Sequence, residues 1–148
     1  MAKQSTDTLK MLIGLAERDV KLAAEALAQA MKVAEDAQSK QNMLHEYRQA
    51  YIDNLNKASV VGIGAEAYTN YQNFFGKLDQ AISGQMDVVA SAKRLVQKKR
   101  EMWQETQRKK LSYEVLMQRS DKQAYKAEQK RDQKSMDEFS TRISRPGR

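Results

Sequence analysis

Few residues of this 148-residue chain are of types that carry out catalysis. His45 is the only histidine and there is no cysteine, so a histidine cluster or a thiolate site for a metal is excluded. A Ser-His-Asp arrangement would depend on this one imidazole, in a helical stretch that supplies no cleft for a nucleophile. We therefore predict that His45 lies on the surface of a helix.

The acidic residues and the glycines do not favour catalysis either. The pairs Glu35–Asp36 and Asp137–Glu138 lie in helical stretches without the apolar walls of a catalytic carboxyl group, so we interpret them as solvated charges. The stretch VGIGAEA lacks the third glycine of a dinucleotide-binding fingerprint and the lysine and hydroxyl of a phosphate loop. We predict that the protein is not an enzyme and holds no metal or other cofactor.

Positive charge is concentrated in the last third of the chain. Residues 93–148 hold 17 Lys and Arg against 8 Asp and Glu, which indicates an acidic partner for this part. The run 93–110 combines basic residues with Trp103 and suggests nucleic-acid binding, but Glu101 and Glu105 interrupt its basic face. We keep a basic nucleic-acid-binding coiled coil as a less favoured alternative and predict no nucleic-acid partner. No run approaches the roughly 18 apolar residues of a membrane span, so no direct membrane insertion is predicted.

The elements that carry these residues are predicted to be two long helices. Pro146 is the only proline, and five of the six glycines precede residue 85. Apolar residues recur in alternating steps of four and three, a coiled-coil repeat that we call the seam. In the first helix the seam is Leu9, Ile13, Ala16, Val20, Ala23, Leu27, Ala30, Ala34, Ala37, Gln41, Leu44, Arg48, Tyr51 and Leu55. In the second helix it is Tyr68, Tyr71, Phe75, Leu78, Ile82, Gln85, Val89, Ala92, Val96, Lys99 and Trp103.

The fold class that follows is all-α, an antiparallel two-helix coiled-coil hairpin with an overhanging C-terminal helix. We predict one elongated domain over 1–148, with a helix over 7–57, a turn over 58–66, a helix over 67–140 and a disordered tail over 141–148. Thr6 or Asp7 is the expected N-cap. The seam fades beyond Met117, so the following residues are expected to form a helix without an intramolecular partner.

The aromatic residues around YTNYQNFF, residues 68–75, exceed what the seam explains. Tyr47 and Phe74 lie beside the seam. Leu44, Tyr47 and Tyr51 share one helical face, and Phe74, Leu78 and Ala81 share another. These residues either pack the end of the hairpin or form an exposed docking patch. A two-helix hairpin has one internal seam, so we predict that the patch faces outward.

Four parts of the sequence resemble the FliJ family of the bacterial flagellar type III export apparatus. They are MLHEYRQAYIDNLN (43–56), the short glycine-containing turn, YTNYQNFFGKLDQAI (68–82) and DQKSMDEFSTR (132–142). The resemblance implies an antiparallel coiled coil that acts as the central stalk of a hexameric export ATPase ring and stimulates the ATPase. It also implies binding to the cytoplasmic part of the export gate membrane protein and to escort chaperones.

The resemblance also assigns residues to these roles. Export-gate binding is assigned to Leu44, Tyr47, Tyr51, Phe74, Leu78 and Ala81. The end that holds both termini is implied to enter the ring, which assigns the basic excess of residues 93–148 to the ATPase-ring side; within it we choose Lys122, Lys126, Lys130 and Arg131 as candidates. The implied location is the cytoplasm, peripheral at the inner face of the cell membrane through the export apparatus. The alternative function is a chaperone or adaptor that captures export substrates.

Overall fold

The computed structural model describes residues 2–144, and over this range the protein consists of two α-helices and no strand. Helix α1 spans Ala2–Val61 and helix α2 spans Ala65–Ile143. Both helices are long because their interiors contain no proline and few glycines. The predicted all-α class with two helices packed against each other is confirmed.

The helix ends differ from the predicted bounds. Helix α1 begins at Ala2, ahead of the expected cap at Thr6 or Asp7, because the preceding residues are themselves adequate helix formers. It also continues through Val60 and Val61, since β-branched residues lower helix propensity only slightly. Helix α2 continues to Ile143, so the first residues of the predicted disordered tail are helical, and residues 145–148 lie outside the described residues.

The connection between the helices is three residues long, Gly62 to Gly64, inside the predicted turn region. Gly62 has φ of 97°, and its N–H donates a 2.9 Å hydrogen bond to the Ala58 carbonyl. This is the left-handed cap that glycine adopts at little cost. The Gly64 carbonyl accepts a 3.1 Å bond from the Tyr68 N–H and so opens α2. The short turn makes the two helices antiparallel neighbours.

The chain forms two compact units. One, the hairpin unit, comprises Leu22–Trp103 and contains the turn. The other, the terminal unit, is formed by the residues on either side of it, described over 2–21 and 104–144.

The core of the hairpin unit is the predicted seam. Its buried residues are Ala30, Ala37, Leu78, Ile82, Gln85, Val89 and Ala92. In one buried cluster, Ala37 of α1 packs with the larger Val89 and with Ala92 of α2. Small residues on one helix let the larger residues of the other fill the space between them.

Side-chain contacts fix an antiparallel register in the hairpin unit. Tyr51 stacks on Phe74, Arg48 pairs with Asp79, and the Gln85 amide donates a 2.9 Å hydrogen bond to the Ala37 carbonyl. The position on α2 rises as the position on α1 falls. Tyr68, which the repeat assigns to the seam, is instead 46% exposed. It lies in the first turn of α2, and the aromatic contacts with α1 begin one turn later, at Tyr71.

The seam also runs through the terminal unit. Ala16 is only 3% exposed, and Leu9, Ile13 and Val20 are half-buried. On α2 the half-buried residues include Tyr113, Met117 and Ser120. From 121 to 144 every residue is exposed, so the predicted fading of the seam beyond Met117 is confirmed to within one helical turn. We call residues 121–144 the C-terminal segment.

Candidate functional site

The six residues assigned to gate binding all lie in the hairpin unit, close to the turn, and we call them the tip patch. They are Leu44, Tyr47, Tyr51, Phe74, Leu78 and Ala81. Helix α1 contributes the first three and α2 the last three. The stacked pair formed by Tyr51 and Phe74, with ring centroids 4.0 Å apart and an interplanar angle of 18°, links the two halves.

Tyr51 is the centre of an aromatic cluster. Besides stacking on Phe74, it makes edge contacts with Tyr71 and Phe75, at centroid distances of 6.1 and 6.3 Å. The Arg48 guanidinium lies 5.8 Å from the centre of the Phe75 ring, and its Nε donates a 2.8 Å hydrogen bond to the Asp79 carboxylate. Aromatic pairs of this kind contribute about 0.5–1.5 kcal/mol beyond their buried area. Tyr51 therefore anchors the hairpin end.

The members of the tip patch differ in exposure. Tyr47 is 55% and Phe74 37% exposed, and Ala81 is also exposed. Leu44 and Tyr51 are half-buried. Leu78 is only 7% exposed, which corrects its predicted place on an outward-facing surface: it is a seam residue and faces α1. The two interpretations of the aromatic cluster thus hold for different residues, with Tyr51 and Leu78 packing the hairpin and Tyr47 and Phe74 reaching solvent.

A shallow groove opens beside the exposed ring of Phe74. It has a volume of about 380 Å³ and is lined by Tyr51, Ala67, Asn70, Tyr71 and Phe74. Aromatic walls with a single amide side chain suit an apolar group of a partner protein.

The residues that could carry other chemistry are dispersed. Between residues 2 and 144, no group of three or more His, Asp or Glu residues could hold a metal ion. His45 is exposed on α1, as predicted. Trp103 is half-buried on the seam, which does not favour its use as a stacking platform for a nucleic-acid base. Neither described helix has a stretch long and apolar enough to cross a membrane.

The four residues assigned to the ATPase-ring side lie on the C-terminal segment. Lys122, Lys126, Lys130 and Arg131 are all exposed. The three lysines step by four residues and so share one side of the helix. Tyr125 is exposed on the same segment, where its hydroxyl accepts a 2.9 Å hydrogen bond from the Gln129 amide.

Sequence reasoning missed a second set of exposed apolar residues on the C-terminal segment. Met136, Phe139 and Ile143 are 68%, 65% and 66% exposed. Their spacing of three and four places them on one helical face. That spacing is the signal that could have identified them, although the seam has ended well before them.

Comparison with known proteins assigns the family. The family described as "Flagellar FliJ protein" matches residues 5–147. The flagellar FliJ proteins of Escherichia coli (strain K12) and Salmonella typhi are each 31% identical to this chain over 136 residues, which covers 92% of the chain and 92% of each relative. The chain therefore belongs to the FliJ family.

Proposed function

We propose that this chain is a component of the flagellar type III protein export apparatus, where it forms the central stalk of the export ATPase ring. In this role it stimulates the ATPase and couples it to the export gate, and it also binds escort chaperones. Membership of a flagellar protein family supports the setting. The observation that carries the proposal is the exposure of Tyr47 and Phe74 next to the turn.

The gate side of the proposal rests on the aromatic rings of the tip patch. Burying a large apolar side chain in an interface contributes about 1.5–3 kcal/mol, so two exposed rings can dominate the affinity. Phe74 is already held against Tyr51, and its ring loses little conformational freedom when a partner covers it. The groove beside Phe74 gives the partner a place for an apolar side chain.

The ring side of the proposal rests on the C-terminal segment. Its basic residues Lys122, Lys126, Lys130 and Arg131 are exposed, and cations are attracted to a pore lined by acidic groups. All faces of the segment are open to solvent, which suits a helix that is surrounded by several subunits of a ring.

Alanine substitutions in the tip patch test the gate contact. We expect the double variant Tyr47→Ala/Phe74→Ala to bind the purified cytoplasmic part of the export gate protein at least about tenfold more weakly. Each ring contributes about 1.5–3 kcal/mol when a partner buries it, and a loss of about 1.4 kcal/mol already corresponds to tenfold. The measurement is isothermal titration calorimetry, with helicity followed by circular dichroism. The matched control is Met31→Ala/Met86→Ala, two residues of the hairpin unit that are 48% and 53% exposed.

Unchanged gate affinity in the tip variant would remove the proposed contact. Equal loss of affinity in the methionine control, or loss of helicity together with binding, would show that the tip patch acts through the fold rather than as a docking surface.

The alternative function, a chaperone or adaptor for export substrates, is favoured by one observation. Met136, Phe139 and Ile143 form an exposed apolar face that could hold an unfolded cargo segment. Stoichiometry separates the two functions. A stalk gives one chain per six ATPase subunits in native mass spectrometry, whereas a cargo adaptor gives a one-to-one complex with its substrate.

A further inference from the structure

The tip patch continues along one side of the hairpin unit as a row of exposed apolar residues. On α2, Phe74, Ala81, Val88 and Leu95 are seven residues apart, and each directly precedes a seam residue. All four are exposed, Val88 at 51% and Leu95 at 43%. A seven-residue spacing keeps side chains on one side of a coiled-coil helix.

Helix α1 supplies a matching row on the same side. This row consists of Ala26, Val33, Lys40 and Tyr47, which also directly precede seam residues at intervals of seven. In an antiparallel pair, residues at this position on one helix adjoin residues at the same position on the other. Val33 is 45% exposed, whereas Ala26 is small and half-buried. Val33 therefore provides most of the apolar surface that the α1 row exposes on the side of Lys40 away from the turn.

The register of the hairpin unit brings the two rows together. The contacts of Tyr51 with Phe74 and of Gln85 with Ala37 place Val33 near the level of Val88. By the same register, Ala26 lies near the level of Leu95. The apolar surface that results is made by Ala26, Val33, Val88 and Leu95, and we call these four residues the apolar flank.

The opposite side of the hairpin unit is more polar. The residues that directly follow the seam there include Gln38 and His45 on α1 and Asp79, Lys93 and Arg100 on α2. The methionines Met31 and Met86 also lie on this side and interrupt its polar character. The two sides of one helix pair therefore differ in chemistry, which packing between the two helices alone does not require.

We propose that the apolar flank is a docking surface for one amphipathic helix of a partner protein, which lies lengthwise as a third helix and carries acidic residues along its margins. The exposed row from Phe74 to Leu95 spans 21 residues, or about 31 Å at 1.5 Å per residue, so a partner helix of about three heptads would lie over the apolar flank and extend over the tip patch. The partner helix would then pack against both α1 and α2 beside their seam, as the third helix of a three-helix coiled coil does.

The charged residues that directly precede the four flank residues, Glu25, Lys32, Asp87 and Arg94, carry no net charge, so the preference for an acidic partner helix rests on the lysines at the edges. Lys40 lies within the α1 row, and Lys77 and Lys98 lie three residues beyond Phe74 and Leu95, on the outer edge of α2. Asp36, three residues beyond Val33, is the acidic residue at the corresponding edge of α1. A second copy of this chain would bring the same lysines to the contact, and like charges disfavour that occupant.

A designed peptide tests this proposal without any export protein. The probe is a fluorescein-labelled 21-residue helical peptide with leucine at the first and fourth positions of each heptad and glutamate at the positions beside them. A second peptide has lysine in place of each glutamate. Fluorescence polarisation with the full chain measures both, and we expect the lysine peptide to bind at least about tenfold more weakly, because like charges repel.

Matched variants locate the site. Val33→Glu/Val88→Glu adds two negative charges to the apolar flank, and Met31→Glu/Met86→Glu adds the same charges at exposed positions that directly follow seam residues on the opposite side. We expect the first variant to bind the glutamate peptide at least about tenfold more weakly and the second to change affinity less than about twofold. Val33→Ala/Val88→Ala, which favours the helix, is expected to weaken binding with full helicity by circular dichroism.

Equal effects on the two sides, equal binding of both peptides, or no binding of the glutamate peptide would overturn the proposal. Sedimentation velocity tests the remaining occupant, a second copy of this chain. A dimer of the natural chain that Val33→Glu/Val88→Glu dissociates would assign the apolar flank to that second copy and would also overturn the proposal. None of these measurements involves the export gate. Failure here therefore leaves the proposed gate contact of Tyr47 and Phe74 unaffected, and failure of that contact leaves the proposal for the apolar flank unaffected.

Discussion

Tyr47 and Tyr51 lie one helical turn apart on α1 but have different surroundings. Tyr51 is half-buried and contacts three aromatic rings of α2, whereas Tyr47 is 55% exposed. We expect Tyr51→Ala to lower the free energy of unfolding by about 2 kcal/mol, since it removes a partly buried ring and its contacts. Tyr47→Ala should change it by less than about 0.5 kcal/mol.

Urea denaturation followed by circular dichroism measures both effects. Similar losses in the two variants would contradict the separation between an anchoring ring and a ring left free for a partner. The two residues also differ in what each variant should do to gate binding: Tyr47→Ala weakens the contact with the fold intact, whereas Tyr51→Ala weakens both.

At the scale of single residues, sequence periodicity identifies candidates but does not separate their roles. Phe74 and Leu78 are four residues apart and share a face, yet Phe74 reaches solvent and Leu78 is 7% exposed. The seam repeat contains Leu78 and excludes Phe74, and the repeat is therefore the better guide to burial. The hydrogen bond from Gln85 to the Ala37 carbonyl could not be predicted, because it depends on how closely the facing backbone approaches.

Among the elements, the glycines of the helices and of the turn should respond to substitution in opposite directions. A Cβ at Gly76, inside α2, meets no atom within 4 Å, so Gly76→Ala should raise the free energy of unfolding by about 0.5–1 kcal/mol. Gly62 has a positive φ, a conformation that a side chain strains. Gly62→Ala should therefore lower the free energy of unfolding by about 1–2 kcal/mol.

Thermal unfolding of the two variants measures the difference. A Gly62→Ala variant as stable as the natural chain would mean that the left-handed cap does not contribute to the turn. Destabilisation by Gly76→Ala would show that this exposed face of α2 is more crowded than the space around Gly76 indicates.

The number of helices and the face each one buries could be predicted from the sequence, whereas the helix ends could not. The repeat of three and four residues persists over many turns, and every α1 residue assigned to the seam is buried or half-buried. Helix ends depend on small differences between neighbouring residues. The predicted turn therefore includes Val60 and Val61, which are helical, whereas Gly62 has the conformation that ends α1.

For the whole molecule, the uneven charge predicts a salt-dependent interaction. The excess of Lys and Arg is confined to residues 93–148, which contain the proposed ring-binding residues. We expect stimulation of the export ATPase to weaken as ionic strength rises, because exposed charges are screened. Gate binding through Tyr47 and Phe74 should depend less on salt, since it rests on apolar contact.

Charge reversal distinguishes a specific contact from net charge. The test variant carries glutamate at Lys122, Lys126, Lys130 and Arg131. The control carries glutamate at four exposed basic residues of the hairpin unit, Lys32, Lys57, Lys93 and Arg94. ATPase assays should show loss of stimulation in the test variant alone, with gate affinity kept. Equal loss of both activities would refute the assignment of separate regions to the two partners.

The uninterrupted exposure of residues 121–144 has a thermodynamic consequence. This segment adds no buried side chain to the seam, so its local opening and closing proceed with little effect on the stability of the paired helices. A partner can therefore engage the segment and let it go repeatedly while the hairpin stays folded. How readily the partner dissociates from the segment then depends on the contacts that the partner makes and not on the unfolding equilibrium of the chain.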